Sequence, residues 1–422
     1  MSGPDATIDV DFFDPATNHC PYHAYATLRD QGPVWHDPRT GMYVITRYED
    51  VRAILLDTVA YPSQRRGRRR GTPEVMARAE AMQALYREKG WVPAPTLANR
   101  DDPEHKQMRA LFDHAFRPSR IKALDGFVSE VAHRLIDSFA ERGSCDWVSE
   151  FAVPLPLTVI GQQMGAPEED IWRIKAWTDA WVQRLGMMQT ADEERWSVEM
   201  EIEAQHYFQA IFDKLRKHPD ETLISDLVNT PVPGWDRTLT DEELHAEMMA
   251  DTFVGGSETS TNALSAGVML LLDNPDTWSA LQSDPDRNIP LFVEEVVRLE
   301  GPVQGLFRTA SRDIELHGVL IPAGALINIR YAAANRDERH FERADQIDLE
   351  REGLRSHLAF GFGTHHCLGA PLARRELILG FAALVDRLDN LAYEDPGQAL
   401  EYQANFCLRA LKSLPITFTV RA

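Results

Sequence analysis

The residues best suited to chemistry lie in a few short stretches, and the most informative centres on one sulfur. The segment HLAFGFGTHHCLGAPLARREL carries Cys367 among Gly361, Gly363 and Gly369. Glycines let a chain turn tightly round a sulfur and aim backbone N–H groups at it. A helix expected to begin near Gly369 to Leu372, with Pro371 in its first turn, adds the positive end of its dipole. Both effects favour a thiolate over a thiol. The other cysteines, Cys20, Cys145 and Cys407, are far apart in sequence and form no CxxC pair, so neither a disulfide framework nor a zinc site is signalled. His365 and His366 adjoin Cys367, but no fourth ligand lies nearby as zinc spacing requires. A lone thiolate presented in this way suits axial ligation of haem iron.

A second stretch, FVGGSETST from Phe253 to Thr261, places Gly255 and Gly256 inside an expected helix, then an acid beside a hydroxyl, Glu258 and Thr259. Each glycine costs the helix on the order of 1 kcal/mol against alanine. The pair reads either as a notch for a neighbouring helix or as room for something large to approach the backbone. Asp251 lies two turns before Thr259 on about the same face. A third stretch, PLFVEEVVRLEGP, sets Glu295 and Arg298 three apart on one helix face. Alone, such a pair is a surface contact worth under about 1 kcal/mol.

These groups need elements to hold them. TDEEL at Thr240 to Leu244 is a capping box, with Thr240 at the N-cap and Glu243 three residues on, and it opens a helix running to about Leu272. About 30 residues at α-helical rise give roughly 45 Å, enough for a central spine. Apolar residues at three- and four-residue spacing, as in EVAHRLIDSFAERG, predict helices from about residue 101 to 290. Short strands are expected at Val34 to Trp35, at Met42 to Arg47, between Arg308 and Asn335 with turns at Gly318 and Pro322-Ala323-Gly324, and in LPITFTV; a helix is expected from Tyr22 to Asp30. The expected fold is mainly α with small β-sheets, a single domain over residues 1–422 after a polar tail of about 14 residues.

The bulk properties narrow the class. In 422 residues, 44% hydrophobic, 44 basic residues face 65 acidic ones for a formal charge of -21. That balance argues against nucleic acid as a partner. The basic run QRRGRRRG, Gln64 to Gly71, reads as a solvated loop, since no basic helix or interleaved aromatics accompany it. No targeting segment and no run of about 18 apolar residues occurs, so a cytoplasmic protein without membrane attachment is expected.

Taken together, FGFGTHHCLG, GGSET, EVVR at Glu295 to Arg298 and HKQMR at His105 to Arg109 resemble, in order and interval, the bacterial cytochrome P-450 family, from about residue 15 to the C-terminus. The resemblance implies a P-450-like fold with a long central helix, haem b (Fe protoporphyrin IX), and O2 as co-substrate. Cys367 would be the axial iron ligand, His105, Arg109, Arg308 and His365 would hold the haem propionates, and Gly255 and Gly256 would open the dioxygen groove. Thr259 and Glu258 would deliver protons; Glu295, Arg298 and Arg351 would form a structural triad. Ser260 stands where many relatives carry a second threonine, and ANRDERHFERADQ lacks the family's usual proline.

The implied reaction is insertion of one oxygen atom into a hydrophobic small molecule of terpenoid, steroid or aromatic class. Its pocket is expected to include Asp251, Trp181 and Val303, with Trp177, Leu185, Met187 and Met188 nearby. An acid at Asp251, where relatives are often apolar, suits a hydroxyl or amine on the ligand. Electrons would come from NAD(P)H through a separate ferredoxin and ferredoxin reductase, because the haem domain accounts for the chain and three remaining cysteines cannot hold a four-cysteine cluster. The docking surface is expected on the Cys367 side, with Arg374 and Arg375. Two other readings, a peroxide-using or rearranging haem-thiolate enzyme and a non-enzymatic haem sensor, make less use of the Glu258–Thr259 pair.

Overall fold

The computed structural model describes residues 8–64, 73–397 and 399–421. Arg65 to Gly71 of the basic run lie outside them. Helices dominate, and three small sheets flank them. The strands are β1 (Val34–His36), β2 (Tyr43–Ile45), β3 (Ser144–Asp146), β4 (Leu306–Thr309), β5 (Ile314–Leu316), β6 (Val319–Ile321), β7 (Leu326–Ile329), β8 (Leu388–Tyr393) and β9 (Pro415–Val420). One sheet runs β1-β2-β7-β4, with β2 and β7 parallel, and so ties the N-terminal segment to the region after residue 300. A second runs β3-β9-β8, and β5 and β6 form a hairpin. The hairpin turn is His317-Gly318, both at positive φ, as a two-residue turn matched to strand twist requires.

Most strand expectations correspond to strands here, but two segments differ. The span from about residue 101 to 290, expected to turn helical, also contains β3, which pairs with the C-terminal β9. Tyr331–Ala334, within a span expected to hold strands, forms a short helix directly after β7. Both outcomes depend on pairing or packing partners that are remote in sequence.

The spine is present from Asp241 to Asp273, and its capping box forms: Glu243 N–H donates to Thr240 Oγ1 (3.3 Å) and Thr240 N–H donates to Glu243 Oε2 (2.9 Å). It is not a uniform α-helix. Glu247–Glu258 is wound as a π-helix between α-helical ends. Wide winding of this kind is rare and collects at functional sites. Here it holds Asp251, both glycines and Glu258.

The spine crosses the helix Ala370–Arg387 at close range. A Cβ on Gly267 would lie 2.2 Å from Phe381 Cζ, and one on Gly380 would lie 3.0 Å from Leu264 Cδ2. Each helix thus offers a glycine to a bulky residue of the other. Phe381 also packs edge-on against Phe292 of the helix Pro285–Leu299, at 5.3 Å between centroids. The crossing sets the spine's π segment above the Cys367 loop, with a cavity of about 330 Å³ between them. No helix among the described residues is long and apolar enough to cross a membrane.

Candidate active site

The Cys367 loop is built by hydrogen bonds that leave the sulfur facing the cavity. Cys367 N–H donates to Phe360 O (2.8 Å), and Leu358 N–H donates to Asn335 Oδ1 (2.6 Å). Gly361 and Gly363 both adopt φ 68°, and a Cβ on Gly363 would lie 3.0 Å from Leu55 O. No other residue fits both constraints at Gly363. The helix begins at Ala370, after Gly369. Burial pushes the Cys367 thiol up, while the amides of Gly369 and Ala370 and the charges of Arg109 and Arg374 act in the opposite direction. The accessible surface of Cys367 lies inside the cavity, so the sulfur is interior and yet open to a ligand.

Around the same cavity stand His105, Arg109, Arg308 and His365. The rings of His105 and His365 lie 4.2 Å apart, and Arg109 Nη1 donates to His366 O at 2.8 Å. Burial and the neighbouring His105, Arg308 and Arg109 depress His365 to about 3. Three buried nitrogens here have no hydrogen-bond partner: His105 Nδ1, His365 Nε2 and Arg308 Nε. Orphaned nitrogens beside the guanidiniums of Arg109 and Arg308 fit an anionic group with several acceptors. The donor set therefore fits haem propionates, and the lone cysteine facing the cavity fits its iron.

Above the sulfur, the two glycines separate in role. A Cβ on Gly256 would press Ile160 of the helix Pro154–Gln163 at 3.2 Å, so this glycine is a packing notch. A Cβ on Gly255 would meet nothing closer than Ala250 O at 4.0 Å, so Gly255 opens the cavity wall. Thr259 also lines the cavity, and its hydroxyl donates to Gly255 O at 2.8 Å, across the end of the π segment.

Glu258 turns the other way. Its buried carboxylate accepts from Thr178 Oγ1 (2.9 Å) and pairs with Lys175 Nζ (3.2 Å), both on the helix Ile171–Leu185. Burial raises Glu258 and Lys175 opposes that rise. Lys175 in turn pairs with Asp179, which is part-exposed. Lys175 and Thr178 escaped sequence reasoning because nothing local links them to an acid some eighty residues away. Glu247 and Glu376, two further carboxylates lining the cavity, escaped it as well; Glu376 accepts from Ser260 Oγ at 2.7 Å.

Glu295, Arg298 and Arg351 are brought together. Arg298 Nε lies 2.6 Å and Arg351 Nε 3.1 Å from Glu295 Oε1, all buried. The same guanidiniums donate to Asn335 O, Ala344 O, Arg343 O and Gln346 O, so the cluster clamps backbone rather than serving as a surface pair.

Of the expected pocket residues, Asp251 and Val303 line the cavity and Trp181 does not. Trp181 packs among buried core side chains. Trp177 is fully buried against Tyr207 and Phe208, while Met187 is exposed. The helix that bears both tryptophans turns its apolar face into the core. Arg374 and Arg375 are not unpaired surface charges: they fork onto Glu294 (2.7 and 3.0 Å) and Asp125 (2.8 and 2.7 Å).

The family model described as Cytochrome P450 matches residues 188–410. The steroid C26-monooxygenase of Mycobacterium tuberculosis (strain CDC 1551 / Oshkosh) is 35% identical over 326 residues, which cover 77% of this chain and 86% of the relative. Cytochrome P450 107B1 of Saccharopolyspora erythraea is 32% identical over 413 residues, 97% of each chain. The chain belongs to the cytochrome P450 family. A solved intact type IV self-sufficient cytochrome P450 monooxygenase superposes with a TM-score of 0.88 at 30% identity, over 97% of this chain and 52% of that one. As a cytochrome P450 the protein is an oxidoreductase that incorporates oxygen, with haem b as cofactor, O2 as co-substrate and electrons derived from NAD(P)H.

Proposed function

We propose that this P450 inserts one atom of O2 into a hydrophobic small molecule of terpenoid, steroid or aromatic class, with electrons passed from NAD(P)H by a separate ferredoxin and its reductase. The observation that carries the substrate class is the cavity wall facing Cys367, in which Val297, Val303, Leu306 and Ala263 supply apolar surface. Such a wall removes water from an apolar molecule and leaves a few polar groups to orient it.

Bound haem supplies the oxygen-activating chemistry, which a thiolate ligand favours by pushing electron density to the iron. Cys367 provides that thiolate. His105, Arg109, Arg308 and His365 would hold the propionates, which would satisfy the three orphaned nitrogens of that cluster. Gly255 keeps the wall open beside the reacting centre. Thr259 holds a proton at Oγ1, presently directed to Gly255 O. Protons reach its neighbour Glu258 from the surface through Asp179 and Lys175, whose contacts form a continuous chain. Glu295, Arg298 and Arg351 position the segment that leads to the cysteine loop.

The test is the spectrum of the purified, dithionite-reduced protein under carbon monoxide, followed by a spin-state screen of apolar compounds and turnover with a ferredoxin system. A strongly red-shifted Soret band that disappears in Cys367→Ala, with product formed only when the ferredoxin is present, is the expected result. A band typical of histidine-ligated haem, or equal turnover with peroxide alone, sinks the proposal.

A further inference from the structure

Two carboxylates face the substrate cavity from the π segment, and among the described residues no cation forms an ion pair with either. Glu247 and Asp251, four residues apart, both line it. Glu247 is 1% exposed; Oε1 accepts from Leu97 N–H at 2.5 Å, and Oε2 has no hydrogen-bond partner. Asp251 Oδ2 accepts from the next amide, Ala98 N–H, at 3.0 Å. The turn Leu97–Asn99 thus orients both acids and neutralises neither.

Among the described residues the cation whose charge acts on Glu247, Arg100, is already committed. Arg100 donates through Nη1 to Glu104 (2.7 Å), through Nη2 to Glu243 (3.1 Å) and through Nε to Pro95 O (3.1 Å). Glu243 is shared with Arg237 from the surface side. His105 is held neutral by burial, and Arg109 and Arg308 belong to the propionate cradle. Burial pushes both acids up; for Glu247 the charges of Asp251 and Glu243 add to it against the Leu97 amide and the pull of Arg100, and for Asp251 the Ala98 amide and the Thr96 hydroxyl oppose it. A buried carboxylate in this position is stabilised by a proton or by a cation that enters with the ligand.

We propose that Glu247 and Asp251 recognise a basic nitrogen, so that the substrate is an apolar amine bound as its ammonium form. This rests on the reading of the cavity as the site of an apolar substrate and specifies the polar group that site takes. The Glu247 Oε2 proton is exchanged for the ligand: Glu247–COOH and R3NH+ give a carboxylate–ammonium pair and one released proton. An alcohol can donate a hydrogen bond here but brings no charge. A carboxylate repels both acids.

The experiment is isothermal titration calorimetry of the haem-loaded protein with three chain-matched probes, N,N-dimethyldodecylamine, 1-dodecanol and dodecanoate. Each is titrated near neutral pH in phosphate and in Tris, whose different ionisation heats report protons released. The expected result is that the amine binds at least about tenfold more tightly than the alcohol, dodecanoate binds most weakly, and only the amine releases a proton. Glu247→Gln and Asp251→Asn, checked for an unchanged carbon monoxide spectrum, then bring the amine to the affinity of the alcohol. Equal binding of alcohol and amine to the unmodified protein overturns the amine proposal and leaves the apolar reading standing. Amine affinity that survives both substitutions places the nitrogen elsewhere, the iron included, and also overturns it. If none of the three binds, the reading of the cavity falls and this proposal falls with it.

Discussion

The Lys175 ammonium lies 3.2 Å from the buried Glu258 carboxylate, on the side of the spine that faces away from the cavity. Thr259, the next residue, faces into the cavity. Adjacent residues of one helix therefore look toward two compartments, the cavity and a part-exposed ion-pair chain. A proton that passes between them has only one residue of spine to cross.

Replacing Lys175 with methionine strands that carboxylate. Removing one partner of a buried pair costs roughly 3 kcal/mol or more and makes the remaining acid hold its proton more tightly. Product formation is expected to fall roughly a hundredfold, the lower end of the range typical of a lost acid–base step. The solvent deuterium isotope effect on turnover should rise with it. An unchanged rate and isotope effect would place proton entry elsewhere.

Thr259→Ala removes the hydroxyl but leaves the wall and the cysteine loop intact. The variant is expected to consume NAD(P)H at a near-normal rate while releasing peroxide or water in place of product. Simultaneous assay of NAD(P)H, peroxide and product decides this. Coupling equal to that of the unmodified protein would remove Thr259 from proton delivery.

The glycines predict effects of opposite sign. Gly267→Ala forces a methyl group to within 2.2 Å of the Phe381 ring and should destabilise the fold by roughly 1–3 kcal/mol. Gly255→Ala meets no close neighbour, so stability should hold or rise by up to about 1 kcal/mol while apolar ligands bind more weakly in the smaller cavity. Chemical denaturation and ligand titration of both variants separate the two roles.

Glu376 is a pH-dependent burden on the fold. Burial pushes it to about 8, against an opposing hydrogen bond from Ser260. The folded protein keeps this proton at neutral pH, whereas the unfolded chain has lost it. Stability therefore declines as pH rises from about 4.3, the unperturbed glutamate value, toward about 8. Glu376→Gln keeps a neutral hydrogen-bonding group and removes the titration. Its melting temperature, relative to the unmodified protein, should climb across that window; a pH-independent difference would show that Glu376 ionises normally.

Features governed by a few consecutive residues are legible in the sequence itself. The cysteine loop depends on glycine φ freedom, the spine's start on a reciprocal cap, and the β5–β6 turn on Gly318. Each is decided by short-range geometry that one segment carries in itself. The pairing of Glu295 with Arg298 follows from helix periodicity, but its burial does not.

Tertiary packing decided the rest. The π winding of Glu247–Glu258, the pairing of Glu258 with Lys175, the capture of Arg374 by Glu294 and of Arg375 by Asp125, and the withdrawal of Trp181 from the cavity all depend on how helices cross. Crossing geometry is set by side chains meeting from distant parts of the chain, as where Gly267 admits Phe381. Sequence therefore named the groups proposed to hold the cofactor. Only the packed structure determined which carboxylates face the cavity and which pair with the helix Ile171–Leu185.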